Sequence, residues 1–191
     1  MRLGVFGGTF DPVHQGHLIL AEKCREQGKL DRVLFIPAAR PPHKQEHPLT
    51  PFHQRVEMLS LAIAGHSAFA IDELERDRPG PSYTVVTLEE LGRKHPGAEL
   101  FLIVGADSLR DLPSWYSPAR IAELASFLIV PRPGSPMNAV SGIKYEAVES
   151  PLIDISSRDL RRRVAEGRSI RFMVPRAVEV YISEKALYQK V

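Results

Sequence analysis

Short apolar segments alternate with helical patterns along the whole chain, and this alternation constrains the fold more than any other feature. Such alternation is typical of βαβ units and a mostly parallel sheet flanked by helices. We therefore predict one α/β domain over residues 1–191, with a small helical portion at the carboxyl end. The predicted strands are Arg2–Phe6, Asp31–Ile36, Phe69–Ile71, Glu99–Val104 and Phe127–Val130. The predicted helices are Leu18–Glu26, Pro51–Ala64 with Thr50 as its N-cap, Tyr83–Lys94, Ala119–Leu124, Ser157–Glu166 and Pro175–Glu184, and Ser135–Val148 is predicted as a loop with an extended segment.

Composition places the chain among ordinary globular proteins. Of its 191 residues, 43% are hydrophobic and 25% are charged, which is too apolar for a disordered chain. The net charge is only +2, so the overall charge of the chain gives no reason to expect a polyanionic partner. The single cysteine, Cys24, excludes an intramolecular disulfide framework and a cysteine-rich zinc site. We expect Cys24 to be a small buried hydrophobic residue.

No segment of the sequence predicts a membrane helix. The apolar run at the amino terminus stops at Gly7-Gly8, which is too short for the core of a signal peptide. No later stretch approaches the ~20 apolar residues that a membrane helix needs. We therefore expect a cytoplasmic protein that does not associate with membranes.

The loops after three predicted strands are the expected ligand site, because ligands of parallel sheets bind beyond the carboxyl ends of the strands. These loops are Gly7–His17, Ala38–Lys44 and Gly105–Asp107. In the first, Gly7 and Gly8 let the backbone turn sharply and approach a ligand, and Gly16 allows a second close approach. Thr9 offers a hydroxyl and an amide. The amino terminus of the following helix presents N–H groups to an anion, so the loop predicts a phosphate site.

His14 and His17 are the chemically distinctive residues of the first loop. Three residues apart, they share one face of a helical turn. They could be zinc ligands, but no HExxH pattern or convincing third ligand accompanies them. They could also be two surface histidines beside a glycine turn. We predict no metal site made by protein side chains.

The segment Ile155–Arg161 offers a second helix amino terminus. Ser156 precedes a helical run in which Leu160 and Val164 form an apolar stripe. One interpretation is a capped amphipathic helix with a solvated arginine face, and another is nucleic-acid binding by Arg158–Arg163. The low net charge and the lack of interleaved aromatic residues argue against the nucleic-acid interpretation. A third interpretation is a phosphate clamp made by the helix terminus and Arg161.

The first loop resembles the GGTFDPxHxGH signature of bacterial nicotinate-nucleotide adenylyltransferases. Its residues 7–17 are Gly-Gly-Thr-Phe-Asp-Pro-Val-His-Gln-Gly-His. These enzymes belong to the nucleotidyltransferase superfamily that the HxGH motif marks. The resemblance implies a Rossmann-like fold and transfer of the adenylyl group of ATP to nicotinate mononucleotide. The products are deamido-NAD and pyrophosphate, formed by in-line attack on the α-phosphate without a covalent intermediate. Such catalysis depends on positioning and electrostatics.

Five further segments resemble family motifs in the same order along the chain. Residues 155–161 resemble ISSTxIR but carry Arg158 where the family usually has threonine or serine. Pro41–Lys44, Ser82–Leu88 and Gly105–Asp107 resemble the PxxPHK, SYTxxTL and GAD segments, and Trp115 matches an aromatic residue that stacks on the pyridine ring. By this resemblance the catalytic residues are His14, His17 and Arg161. The residues that bind ATP or its phosphates are Gly7, Gly8, Thr9, Phe10, Gly16, Lys44, Gly105, Asp107, Arg132, Ile155, Ser156 and Ser157, and those that bind the pyridine nucleotide are Ser82, Tyr83, Thr84 and Trp115.

The resemblance also implies Mg²⁺, bound together with ATP and pyrophosphate. Nicotinate mononucleotide is the expected acceptor, and nicotinamide mononucleotide and phosphopantetheine are the alternatives. A nucleotide-binding module without turnover is a further alternative, although both histidines, Lys44 and Arg161 are present. We expect small-molecule partners and no nucleic acid, and the sequence is compatible with a homo-oligomer.

Overall fold

The computed structural model describes residues 1–41, 49–130 and 143–189, and of Asp107 and Leu109 only the backbone. Strands and helices alternate through most of the chain, as the apolar pattern predicted. The elements are β1 (Arg2–Gly8), α1 (Gln15–Gln27), β2 (Arg32–Pro37), α2 (Phe52–Ile63), β3 (Phe69–Ile71), α3 (Thr84–Lys94), β4 (Glu99–Gly105), α4 (Ala106–Asp111), a 3₁₀ turn (Leu112–Ser114), α5 (Pro118–Leu124), β5 (Ser126–Val130), β6 (Tyr145–Ala147), α6 (Ser157–Ala165) and α7 (Arg176–Glu184).

The six strands form one parallel sheet in the order β3-β2-β1-β4-β5-β6. The chain moves outward from β1 to β3, returns to place β4 beside β1, and then moves outward in the other direction. The strand order therefore reverses between β1 and β4, which is where open α/β sheets bind their ligands. This topology confirms the predicted α/β class and its Rossmann-like character.

A crevice opens between β1 and β4 at their carboxyl ends. β1 stays paired with β2 up to its last residue, Gly8, and β4 stays paired with β5 up to its last residue, Gly105. The pairing between β1 and β4, in contrast, ends at Val5 opposite Leu102, three residues before either strand ends. The two strands therefore diverge at the edge of the sheet that carries the first loop.

Both faces of the central strands β1, β2, β4 and β5 are covered, which explains why these strands are almost continuously apolar. One core cluster joins alternate residues of β1, β2 and β4 to α1, α2, α6 and α7, and a second joins the intervening residues to α3 and α5. Cys24 lies fully buried in the first cluster. Burial raises the pKa of its thiol to about 12, so this residue acts as the small hydrophobic residue that we expected.

The predicted helices begin and end within three residues of the observed ones, with two instructive differences. A loop was predicted at Gly105–Asp107, but Gly105 ends β4 and α4 begins directly at Ala106. A six-residue helix is too short for periodicity to reveal. Thr50 was predicted as the N-cap of α2, but Pro51 occupies that position with ψ of 140°, so helical geometry begins at Phe52.

The extended segment predicted within Ser135–Val148 is present as β6, which pairs with β5. Within the described part of the chain, no helix is both long enough and apolar enough to cross a membrane.

Candidate active site

The first loop leaves β1 through two glycines that have different surroundings. A side chain at Gly7 would meet no atom within 4 Å, so this position leaves room for a ligand. A Cβ at Gly8 would lie 2.9 Å from the ring of Phe10. Phe10 has a positive φ of 49° and is 1% exposed. The tight turn therefore packs the Phe10 ring beneath the loop, where it contacts Phe6 and Phe35.

The two histidines meet at the start of α1. His14 occupies the cap position in an extended conformation, and His17 lies in the first turn. Their rings stack with centroids 3.6 Å apart and an angle of 25° between the planes. The Phe10 ring contacts His17 edge-on, with centroids 5.1 Å apart. The sequence-based prediction that His14 and His17 share one face is thus confirmed.

A backbone hydrogen bond determines the tautomer of His17. The N–H group of His14 donates to Nδ1 of His17 at 3.2 Å. An Nδ1 atom that accepts a hydrogen bond carries no proton, so neutral His17 holds its proton on Nε2. Nδ1 faces the backbone at the helix cap, so Nε2 is the nitrogen of the neutral ring that carries the proton.

Gly16 keeps the space that the His14 ring occupies. A Cβ at this position would lie 3.1 Å from both Cε1 and Nδ1 of His14 and 3.5 Å from the side chain of Ile153. We interpreted Gly16 from the sequence as a point of close approach to the ligand. In the structure the group that approaches Gly16 most closely is the His14 ring.

Substitution of Gly16 should therefore impair catalysis through His14. We expect Gly16→Ala to displace the ring by a few tenths of an ångström and to lower kcat about 10-fold, because small misplacements of reacting groups cost rate steeply. Gly92→Ala is the matched control, since Gly92 lies within α3 and a Cβ there meets nothing within 4 Å. That control should retain kcat and gain about 0.5–1 kcal/mol of stability in urea unfolding. Equal kcat values in the two variants would contradict this role of Gly16.

A buried arginine holds the first loop from below. Arg55 of α2 is 1% exposed, and its guanidinium donates to three backbone carbonyls. Nη1 reaches the carbonyl of Thr9 at 2.8 Å and that of Ala38 at 2.9 Å, while Nε reaches that of Thr50 at 2.9 Å. Arg55 thereby ties the loop after β1 to the loop after β2. Burial lowers the pKa of this guanidinium, yet an arginine stays protonated at any physiological pH.

The amino terminus of α6 lies against the first loop, although about 150 residues separate them. Arg161 donates from Nη1 to the carbonyl of Asp11 at 2.7 Å, and the Ser157 hydroxyl donates to the carbonyl of Pro12 at 2.9 Å. Ser156 is the N-cap of α6, and its Oγ accepts the N–H of Asp159 at 3.2 Å. The two segments that we predicted as phosphate clamps are therefore adjacent.

Two members of the predicted clamp use their side chains elsewhere. The Ser157 hydroxyl proton is committed to Pro12, and Ile155 packs against the first core cluster. If these residues contact phosphate, they do so through their backbone. Arg158, where the chain departs from the family pattern, is exposed at the surface of α6.

The predicted pyridine-binding residues lie around the start of α3. Ser82 exchanges two hydrogen bonds with Arg40, because its Oγ accepts the Arg40 N–H at 3.0 Å and its own N–H donates to the Arg40 carbonyl at 2.9 Å. Tyr83 stacks on Tyr116 with centroids 4.6 Å apart, and Thr84 is the first residue of α3. Trp115, next to this aromatic pair, is partly buried against the second core cluster.

Gly105 ends β4 beside the crevice, and the backbone of Asp107 lies in the first turn of α4. Lys44 and Arg132, both predicted as phosphate contacts, lie outside the described residues.

The sequence reasoning missed three residues that hold the first loop: Arg55, Asp11 and Tyr188. Asp11 is 2% exposed, and its carboxylate accepts the N–H of Thr50 at 3.2 Å and the hydroxyl of Tyr188 at 2.6 Å. A signal for Arg55 was present, because this residue shares the buried face of α2 with Met58 and Leu59. A charged residue in an apolar stripe indicates a specific buried partner.

Comparison with known proteins shows which family the chain belongs to. The model of the cytidylyltransferase-like family matches residues 5–163. A probable nicotinate-nucleotide adenylyltransferase of Thermomicrobium roseum is 49% identical over 198 residues, which cover 100% of this chain and 92% of the relative. Another, of Thermus thermophilus, is 50% identical over 189 residues, which cover 99% of this chain and 100% of the relative. The chain belongs to the nicotinate-nucleotide adenylyltransferase family.

Solved structures show the same fold at much lower sequence identity. The Plasmodium falciparum nicotinic acid mononucleotide adenylyltransferase complexed with NaAD superimposes with a TM-score of 0.83 at 21% identity, covering 98% of this chain and 97% of that one. A nicotinate-nucleotide adenylyltransferase structure from Vibrio parahaemolyticus gives a TM-score of 0.73 at 19% identity, covering 100% of this chain and 96% of that one. These likenesses confirm the nucleotidyltransferase fold that the first motif predicted.

Proposed function

We propose that the chain transfers the adenylyl group of ATP to nicotinate mononucleotide, giving deamido-NAD and pyrophosphate in NAD biosynthesis. The observation that carries this proposal is the position of the stacked pair His14 and His17. They lie at the amino terminus of α1, at the crevice between β1 and β4. Arg161 donates a hydrogen bond to the Asp11 carbonyl in the first loop, just before this helix. A phosphate at this point would lie near the positive end of the α1 dipole, two imidazole rings and a guanidinium.

The residues around this crevice account for the transfer step. A phosphate oxygen of nicotinate mononucleotide attacks the α-phosphorus of ATP in line, the bond to the bridging oxygen breaks, and pyrophosphate leaves. Nε2 of His17 and the His14 ring stabilise the negative charge on the transferring group. Such preorganised donors are the main source of rate enhancement in phosphoryl and nucleotidyl transfer. No protein nucleophile is required.

The leaving pyrophosphate would be held at the second helix terminus. The N–H groups of α6, the Ser156 hydroxyl and the remaining N–H donors of Arg161 are assigned to the β- and γ-phosphates. Lys44 and Arg132 are assigned to the same phosphates, and Gly105 and Asp107 to the nucleotide ribose. Ser82, Tyr83, Thr84 and Trp115 are assigned to the pyridine nucleotide.

Mg²⁺ fits this scheme as part of the substrate. Among the described residues, no group of three or more histidine, cysteine, aspartate or glutamate side chains could hold a metal ion. Mg²⁺ commonly binds to substrate phosphates and water with few protein ligands. We therefore assign it to the triphosphate of ATP, where it would neutralise charge on the leaving pyrophosphate.

An acceptor panel tests the proposal directly. With ATP and Mg²⁺, we expect pyrophosphate release with nicotinate mononucleotide and a lower kcat/KM with nicotinamide mononucleotide. A site that pairs with a carboxylate rejects the amide, because a polar group is then left unpaired. Phosphopantetheine should give no turnover. No release with either pyridine nucleotide would refute the proposal, and equal kcat/KM values for the two would refute the assigned acceptor preference.

A further inference from the structure

The segment after α7 reaches back to the first loop through a partly buried hydrogen bond. The hydroxyl of Tyr188 donates to Oδ1 of Asp11 at 2.6 Å, and Leu187 and Tyr188 both pack against the first core cluster. The two bonded residues are 177 positions apart in the chain. Asp11 lies between Phe10, with its positive φ, and Pro12, three residues before His14.

Asp11 is held through both its side chain and its backbone. Its carboxylate accepts the N–H of Thr50 and the hydroxyl of Tyr188, and its carbonyl accepts Nη1 of Arg161. A carboxylate that is 2% exposed has little access to water, so each of these donors matters for its position. The orientation of the Asp11 peptide also determines where the Arg161 guanidinium lies.

We propose that Tyr188 is a positioning residue that acts through Asp11 to hold the first loop and Arg161 in the geometry needed for adenylyl transfer. This inference rests on the proposed function. Without the Tyr188 hydroxyl, Oδ1 of Asp11 loses a donor inside the protein and the carboxylate rotates toward other partners. The Asp11 carbonyl then turns, and both Arg161 and the His14 segment move with it.

The Tyr188 hydroxyl is suited to donate its hydrogen bond to Asp11 without losing its proton. Burial, with Asp11 close by, raises the pKa of its phenol well above the usual value. The hydroxyl therefore keeps its proton, and with it the hydrogen bond to Asp11, throughout the pH range in which proteins are active.

Tyr188→Phe keeps the ring and removes the hydroxyl with its hydrogen bonds to Asp11 and Thr50, and Tyr181→Phe is the matched control. Tyr181 lies on α7, packs in the same core cluster and donates its hydroxyl to Glu57 of α2 rather than to a residue of the first loop. For Tyr188→Phe we expect kcat to fall about 10-fold with little change in the KM of nicotinate mononucleotide, because loss of positioning acts on the transition state. Tyr181→Phe should retain kcat within about two-fold.

Hydrogen exchange of the peptide that spans residues 8–17 gives a readout that does not need turnover. We expect its amides to exchange about 10-fold faster in Tyr188→Phe than in the unmodified protein, because local opening is controlled by local contacts. Tyr181→Phe should leave this peptide unchanged. Identical kcat and identical exchange in the two variants would overturn the inference. If the unmodified protein fails to release pyrophosphate, the proposed function fails, and the exchange comparison alone decides the role of Tyr188.

Discussion

His17→Ala is expected to lower kcat by ~10²–10⁴, the range for loss of one electrostatic or proton-donating group at a reacting centre. The reason lies in the geometry of the ring, whose Nδ1 accepts the His14 N–H and whose Nε2 donor is assigned to the transferring phosphate. Pyrophosphate release measured with saturating ATP and nicotinate mononucleotide gives kcat. His95→Ala at the end of α3 is the control and should retain kcat within about two-fold.

His17→Asn separates the structural role of this residue from its catalytic role. The Asn side-chain oxygen lies near the position of Nδ1 and can accept the His14 N–H, but the shorter side chain has no donor at the position of Nε2. We expect the thermal midpoint to stay close to that of the unmodified protein while kcat falls as far as in His17→Ala. Near-normal turnover in His17→Asn would show that Nε2 does not contact the transferring group.

Arg55→Met is expected to destabilise the protein by about 3–5 kcal/mol, because it leaves three carbonyls without their donor. Each such loss costs about 1–3 kcal/mol when fully buried, and two of these three hydrogen bonds are only partly buried. Urea unfolding followed by circular dichroism measures the loss. Arg162→Met is the matched control, because the one ion pair of Arg162 within the described residues is an exposed pair with Asp159 on α6. Such surface pairs contribute about 0–1 kcal/mol. A similar small loss in Arg55→Met would mean that water replaces the guanidinium at these carbonyls.

The layout of the fold could be predicted because it depends on local periodicity. Apolar strands and amphipathic helices can be recognised from short stretches of sequence. The strand order is not local information, and the sequence predicted only that the sheet is mostly parallel. The helix α4 was missed because its six residues complete too few turns to show a stripe.

The histidine pair could be predicted for the same reason, since His14 and His17 belong to one contiguous motif and one helical turn. The hydrogen bonds that hold their loop could not, because Thr50, Arg55, Arg161 and Tyr188 lie far from the loop in the sequence and reach it only after the sheet has formed. No local pattern distinguishes Tyr188 from an ordinary surface tyrosine. Ser157 illustrates the same limit, because the motif led us to predict a phosphate contact and gave no sign of the hydrogen bond to the Pro12 carbonyl.

The long separation between the first loop and its anchors has a consequence for synthesis in the cell. The ribosome produces β1 and the His14 motif well before the residues that anchor them, which lie between Ser157 and Tyr188. A nascent chain that has reached only α5 already has β1 to β4 but lacks these anchors. Contacts between distant parts of a chain form late and slowly. The first loop can therefore acquire these anchors only after the chain has been synthesised through Tyr188.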